Sequence, residues 1–170
     1  MSEVYLLDSN CFIAPARTFY GYDFAPSFWK QLRSVLVRPD VLVIREVHDE
    51  IMKDEEIGPW MREINEYRPF STKTGNVVMS YAKVQQYVSE CKFYTQAGII
   101  AWAKRTVADP WLIAAALTME GAWVVTQEQS VGTLSPKSPT GKVKIPDVAD
   151  HFQVPCMNLF SFMRRMHFRL

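Results

Sequence analysis

The chain contains few of the residues that would place it in several common protein classes. Its three cysteines, Cys11, Cys91 and Cys156, are widely separated and form no CxxC pair. This pattern argues against a disulfide framework or a zinc knuckle and favours a reducing compartment. The three histidines also lie far apart in the sequence, without the spacing that metal ligands would need.

Long apolar segments are also missing. The longest one, around residues 111–119, is too short to span a bilayer. The amino terminus carries Glu3 and Asp8 and lacks the basic start and long apolar stretch of a secretory signal. We therefore expect a cytoplasmic protein without membrane association.

The net charge of +1 indicates little about partners, but the distribution of charge is uneven. Residues 38–66 contain nine acidic and four basic residues, whereas residues 129–170 contain six Lys or Arg and two Asp. An acidic pocket beside a basic surface is a layout expected of a metal-dependent nuclease. Ordinary scatter of surface charge would give the same imbalance, so composition alone does not decide between the two.

Short apolar runs alternate with helical patterns along the chain. The runs at residues 4–7, 41–44 and 122–126 are typical of strands buried on both faces of a parallel sheet, and residues 143–145 are a candidate fourth strand. With 170 residues, 48% of them hydrophobic, the chain suffices for one domain, residues 1–170. The pattern predicts a three-layer α/β fold whose short, mainly parallel central sheet is flanked by helices.

Four acidic residues follow this pattern of strands and helices. Asp8 ends the first apolar run, and Glu50 follows the second by about one and a half helical turns. Asp109 opens an Ala-rich helix, and Glu128 comes two residues after the third run. In parallel sheets, ligands bind beyond the carboxyl ends of the strands. Because like charges do not converge for stability, such a cluster suggests a divalent metal site.

Each acid also has a simpler interpretation. Asp8 and Asp109 could cap helices, since Asp109 precedes Pro110 in the form of a helix start. Glu50 could be a solvated helix charge and Glu128 a loop residue. Glu46 and Asp49 lie on the same predicted helix as Glu50 and compete with it for the role of ligand. The metal-site hypothesis therefore depends on the joint placement of the four acids.

Four segments of the chain resemble, in order, the acidic motifs of the PIN (PilT N-terminus) domain family: Leu6-Leu7-Asp8-Ser9-Asn10, Val47-His48-Asp49-Glu50-Ile51, Ala108-Asp109-Pro110-Trp111-Leu112-Ile113-Ala114 and Val125-Thr126-Gln127-Glu128. A tail at residues 144–148 resembles that of a PIN-like subfamily of toxin–antitoxin proteins. The resemblance implies that four acids are catalytic metal ligands: Asp8, Glu50, Asp109 and Glu128. It also implies that Asn10 and Thr126 lie next to these ligands and hold them in position. Glu128 departs from the family pattern, in which many members have Asp. Haloacid-dehalogenase phosphatases are disfavoured, because they need a second acid at the position of Asn10.

The resemblance implies a Mg²⁺- or Mn²⁺-dependent endoribonuclease, the toxin of a bacterial toxin–antitoxin pair. The expected partners are an RNA substrate, an antitoxin protein and a second copy of the chain in a homodimer. The alternative is a PIN-like module, weakly active or inactive, that binds RNA or protein. Six basic residues could contact phosphates, and four aromatic residues could stack on bases. The basic residues are Arg45, Lys53, Lys73, Lys83, Lys104 and Arg105, and the aromatic residues are Tyr20, Tyr22, Phe24 and Trp29. In the simpler interpretation, the aromatic residues belong mostly to the core and the lysines are solvated.

Overall fold

The apolar runs of the sequence form the centre of a four-stranded sheet in which every neighbouring pair of strands is parallel. A computed structural model describes residues 3–170 of the protein. The strand order is β2-β1-β3-β4. The elements along the chain are β1 (Val4–Leu7), α1 (Asn10–Arg17), α2 (Pro26–Leu36), β2 (Val41–Leu42), α3 (Arg45–Lys53), α4 (Ile57–Arg62), α5 (Gly75–Glu90), α6 (Gln96–Trp102), α7 (Asp109–Ala116), β3 (Ala122–Val125), α8 (Ile145–His151), β4 (Cys156–Met157) and α9 (Leu159–Arg165).

The register of the sheet brings the carboxyl ends of β1 and β3 side by side. Leu7, the last residue of β1, is the partner of Val125, the last residue of β3. The backbone N–H of Asp8 then donates to the carbonyl of Val125 at 2.9 Å. The residues that directly follow the two strands therefore meet at one edge of the sheet.

Helices cover both faces of the sheet. Helix α7 packs against α5, α8 and β3, while α9 places Phe162 against Tyr5 of β1. Leu6, Leu7, Val124 and Val125 are fully buried, as strands covered on both faces require. The predicted three-layer α/β fold is confirmed.

The fourth strand was predicted at the wrong place. Residues 143–145 are not a strand; Ile145 begins α8, with Pro146 in its first turn. The backbone N–H of Ile145 donates to Glu128 at 2.9 Å instead of joining the sheet. The edge strand β4 is the two-residue segment Cys156–Met157, which pairs with Val124 and Val125.

Strand β2 is also shorter than the predicted run 41–44. Its ladder with β1 covers Val41 and Leu42, and Ile44 then forms an isolated bridge with Phe70. This bridge brings the segment after Phe70 alongside the start of α3. Across residues 3–170, none of the helices combines the length and the apolar character needed to cross a membrane.

Candidate active site and charged groove

The carboxylate of Asp8 lies at the edge of the sheet where β1 and β3 end, and it is only 3% exposed. Its Oδ1 accepts from the backbone N–H of Ser9 at 2.7 Å, and its Oδ2 accepts from the hydroxyl of Thr126 at 2.8 Å. These bonds orient Asp8 but do not cap α1, which has no side-chain capping bond at its first turn. The interpretation of Asp8 as a helix cap is therefore wrong.

Thr126 and Asn10 form the hydrogen-bonded support behind Asp8. The Thr126 hydroxyl accepts from Asn10 Nδ2 at 3.2 Å and from the backbone N–H of Glu128 at 3.1 Å. Asn10 Oδ1 also accepts from the backbone N–H of Gln127 at 2.8 Å. A single network thus joins the start of α1 to the segment that follows β3, and it fixes the Asp8 carboxylate from one side.

Asp109 is the first residue of α7 and, like Asp8, makes no side-chain capping bond. Burial, together with the charges of Asp8, Glu128 and Glu50, raises the pKa of Asp109 to about 8. No hydrogen bond within residues 3–170 is among the main causes that act on this pKa. The carboxylate therefore sits beside other acids without the donors that a capping or purely structural Asp would have.

The pKa of Asp8 depends on two of the acids that act on Asp109, namely Glu128 and Glu50. The pKa of Asp8 is raised to about 7, mainly by burial and also by the charges of Glu128 and Glu50, against the lowering effect of the hydrogen bonds from Thr126 and Ser9. The structure therefore brings together the four acids identified in the sequence. We call Asp8, Glu50, Asp109 and Glu128 the acidic cluster.

Glu50 is tied to the segment before α7. Its Oε1 accepts from the backbone N–H of Ala108 at 3.2 Å. Glu46, its rival on α3, faces elsewhere: its Oε1 accepts from the Thr72 hydroxyl at 2.6 Å, and its buried Oε2 has no partner in residues 3–170. The charge of Glu50 is among the main causes that raise the pKa of Asp8 and of Asp109, and that of Glu46 is not.

Glu128 differs from the other acids because both of its carboxylate oxygens are engaged. Oε1 forms an ion pair with Lys144 Nζ at 2.5 Å, and Oε2 accepts from the backbone N–H of Ile145. Lys144 also lowers the pKa of Asp109, so its charge reaches into the cluster. No motif or spacing links residues 128 and 144, so the pairing of Lys144 with Glu128 could not be predicted from the sequence.

The donor atoms of the cluster suit a hard divalent cation, because Asp8, Glu50 and Asp109 offer only carboxylate oxygens. The carboxyl groups of Asp8 and Asp109 also have raised pKa values, which a bound cation would lower. Within residues 3–170, however, no group of three or more His, Cys, Asp or Glu side chains is placed so that it could hold a metal ion. This arrangement fits Mg²⁺ better than a caged metal, since Mg²⁺ keeps several waters and is commonly held by one or two carboxylates together with substrate phosphates.

A groove of about 490 Å³ runs along α3 beside the acidic cluster. We call it the α3 groove; its lining residues are Arg45, Glu46, Asp49, Glu50, Lys53, Ser71, Thr72, Lys73, Arg105 and Thr106. Glu50 belongs to both the groove and the cluster. Four of the basic residues singled out in the sequence, Arg45, Lys53, Lys73 and Arg105, line this groove, and Lys83 and Lys104 do not.

The aromatic residues singled out as stacking platforms are mostly part of the core. Trp29 is buried, Tyr20 stacks on Phe28, and Tyr22 stacks on Trp29. Phe24 alone among the four is largely exposed, at 66%. Tyr20, Tyr22 and Trp29 therefore follow the simpler interpretation and belong to the core, because their rings fill the space around α2.

The comparison with known families assigns the chain to a family. The sequence model of a family described as a domain of unknown function, DUF4411, matches residues 5–170, so the chain belongs to that family. The predicted membership in the PIN family is therefore wrong. Acids at the ends of parallel strands are brought together by the sheet itself, so unrelated families can share their spacing. A search of curated proteins found no match.

Proposed function

We propose that the protein is a Mg²⁺- or Mn²⁺-dependent endoribonuclease, in which Asp8, Glu50 and Asp109 hold the cation and Glu128 lies at the edge of the site. The observation that carries this proposal is the gathering of four carboxylates at the carboxyl edge of a parallel sheet, with Asp8 buried, Asp109 half-buried and the pKa values of both raised. Carboxyl groups with strongly raised pKa values are concentrated at functional sites.

The residues of the chain have distinct roles in this proposal. Thr126 and Ser9 fix the orientation of Asp8, and Ala108 fixes Glu50, so two of the three carboxylates are held in place by hydrogen bonds. Lys144 neutralises Glu128 and leaves the other three acids as the negative centre. When bound, the cation would neutralise charge on the scissile phosphate and activate a water molecule. Hydrolysis then adds the water oxygen to phosphorus and breaks one P–O bond.

The test is to incubate the pure protein with mixed RNA in Mg²⁺, in Mn²⁺ and in chelator. We expect cleavage with either metal and none in chelator. Asp8→Asn, purified in parallel, should be inactive, which also controls for contaminating nucleases. Asp150→Asn, an exposed Asp on α8, is the matched control and should retain activity. Wild type that leaves RNA and single-stranded DNA intact in both metals would overturn the proposal, and cleavage of DNA alone would replace RNA as the substrate.

A second candidate function is a binding module with weak or no activity. Two observations favour it: within residues 3–170 no group of three His, Cys, Asp or Glu side chains could hold a metal ion, and Lys144 already neutralises one acid of the cluster. A module of this kind would bind RNA or protein equally well in chelator and would be unaffected by Asp8→Asn. The toxin role, the antitoxin partner and the homodimer rested on the resemblance to the PIN family and stay predictions.

A further inference from the structure

We infer that the α3 groove binds the phosphodiester backbone of single-stranded RNA, through Arg45, Lys53, Lys73 and Arg105, and delivers it to the acidic cluster. This inference rests on the proposed function for the identity of the nucleic acid. It extends that function by naming the surface that recognises the substrate and the part of the substrate that is recognised.

The four groove cations are available to a ligand. None of them forms an ion pair with a carboxylate in residues 3–170, although Glu46, Asp49 and Glu50 line the same groove. All four are exposed residues. Arg and Lys side chains in this state can contact phosphates without first losing a protein partner.

The walls of the groove are fixed to α3 by its two glutamates. Thr72, which is only 1% exposed, donates to Glu46 and anchors the segment that carries Lys73. Ala108 donates to Glu50 and anchors the segment that carries Arg105. The bridge between Ile44 and Phe70 holds the first of these segments against the end of β2. The cations are therefore presented by a supported surface.

The charges are spread along the groove as a chain of phosphates would require. Arg45 and Lys53 begin and end α3, so about 12 Å of helix separates them. Lys73 and Arg105 enter from two other segments of the chain. A compact ligand with one phosphate would touch only part of this set, whereas a nucleic-acid backbone can touch all of it.

The size and the position of the groove favour one strand over a duplex. A volume of about 490 Å³ is within the range of small-molecule pockets and cannot enclose two strands. Glu50 lies in the groove and in the acidic cluster, so a strand in the groove continues to the carboxylates.

The experiment measures binding without cleavage. Fluorescence anisotropy follows a short labelled single-stranded RNA in chelator, over a series of salt concentrations, for the wild type and for Lys73→Gln and Arg105→Gln. The matched controls are Lys83→Gln and Lys104→Gln, two exposed lysines outside the groove. Lys104 is the neighbour of Arg105 in sequence, so this pair separates position in the groove from charge alone.

We expect each groove variant to weaken RNA binding roughly fivefold and to reduce the slope of log K against log salt by about 0.7. The controls should change neither quantity beyond error. Single-stranded DNA that binds equally would support recognition of the phosphates alone, and weaker DNA binding would assign the groove to RNA. Equal losses in groove and control variants would overturn the inference, as would tighter binding of duplex RNA, or competition by polyglutamate as effective as that by RNA.

The outcome is separable from that of the proposed function. If RNA is cleaved in Mn²⁺ but groove variants bind like the wild type, the groove assignment fails and the nuclease stands. If the groove variants lose RNA binding but the wild type cleaves nothing, the nuclease fails and the groove remains a binding surface.

Discussion

The acidic cluster and the α3 groove lie side by side but are built in opposite ways. The cluster is set into the edge of the sheet, where burial raises the pKa of Asp8 and Asp109 to about 7 and about 8. The groove is a surface lined by three acids and by four exposed cations that form no ion pair within residues 3–170. Helix α3 contributes to both, through Glu50. The difference suggests a division of labour, in which the cluster performs the chemistry and the groove holds the substrate.

The largest expected effect separates these two regions. Asp8→Asn and Asp109→Asn should each lower RNA cleavage by at least roughly 100-fold, because each removes a negative ligand from the cation. RNA binding in chelator should be unchanged, since neither residue lines the groove. Gel-based cleavage and anisotropy on the same preparations check both halves. A variant that loses binding and cleavage together would show that the two regions are one site.

The next effect concerns the two glutamates of α3. Glu50→Gln should reduce cleavage strongly, because the charge of Glu50 raises the pKa of both Asp8 and Asp109 and Glu50 therefore lies close to them. Glu46→Gln should reduce it less, since Glu46 faces Thr72. Initial rates of cleavage at saturating Mn²⁺ compare the two. Wild-type rates for Glu50→Gln, together with an inactive Glu46→Gln, would reverse the assignment.

The pH dependence of stability should depend on the cluster and not on the groove. Asp8 and Asp109 have folded-state pKa values of about 7 and about 8, above the ordinary value of 3.8. Their contribution to the free energy of unfolding is therefore full below pH 3.8 and is lost as the pH rises through about 7 to 8. In chelator, the melting temperature should fall between about pH 5 and about pH 9.

Mn²⁺ should counteract this fall. A ligand that binds the folded state stabilises it by about 2.7 kcal/mol at a hundredfold excess over Kd. Asp8→Asn should melt at or above the wild-type temperature in chelator at alkaline pH and gain less from Mn²⁺, whereas Lys73→Gln should follow the wild type. Thermal melts in chelator and in Mn²⁺ give the comparison. A wild type indifferent to Mn²⁺, with a much less stable Asp8→Asn, would make Asp8 a structural residue.

The smallest expected effect concerns Lys144, the basic residue that is paired with Glu128 of the acidic cluster. Lys144→Gln removes the partner of Glu128 and increases the negative charge around Asp109. The concentration of Mn²⁺ needed for half-maximal stabilisation should fall, by less than roughly fivefold because the pair is partly exposed. Lys142→Gln, an exposed lysine two residues earlier, is the control. A rise in that concentration would mean that Lys144 holds the cluster in its binding arrangement.

The sequence was informative wherever a continuous segment determined the structure. The run at residues 4–7 became β1 with the predicted bounds, and Pro110 marked the start of α7 as expected. Because parallel strands align their carboxyl ends, the acids that follow them could be placed together before any coordinates were known. Placing Glu50 with these acids required one further assumption, that its helix directs the Glu50 side chain toward the same edge of the sheet.

The remaining features depend on contacts between distant segments. Strand β4 has two residues and no periodicity, so nothing in its own sequence distinguished it from a loop. The ion pair of Glu128 and Lys144 is closed by a loop whose path no pattern predicts. The α3 groove combines three segments, 45–53, 71–73 and 105–106, which are brought together by a bridge and two hydrogen bonds.

Helix α3 also fixes the distance between the groove that would hold an RNA strand and the acidic cluster that would cleave it. Glu46 and Glu50 are one helical turn apart, about 6 Å along the axis, and each anchors a different wall of the groove. A helix this short does not stretch, so the phosphates bound along it would always lie at the same offset from the acidic cluster. Cleavage would then occur at a constant number of bonds from the bound stretch, and the fragments would share a uniform end instead of a ragged one.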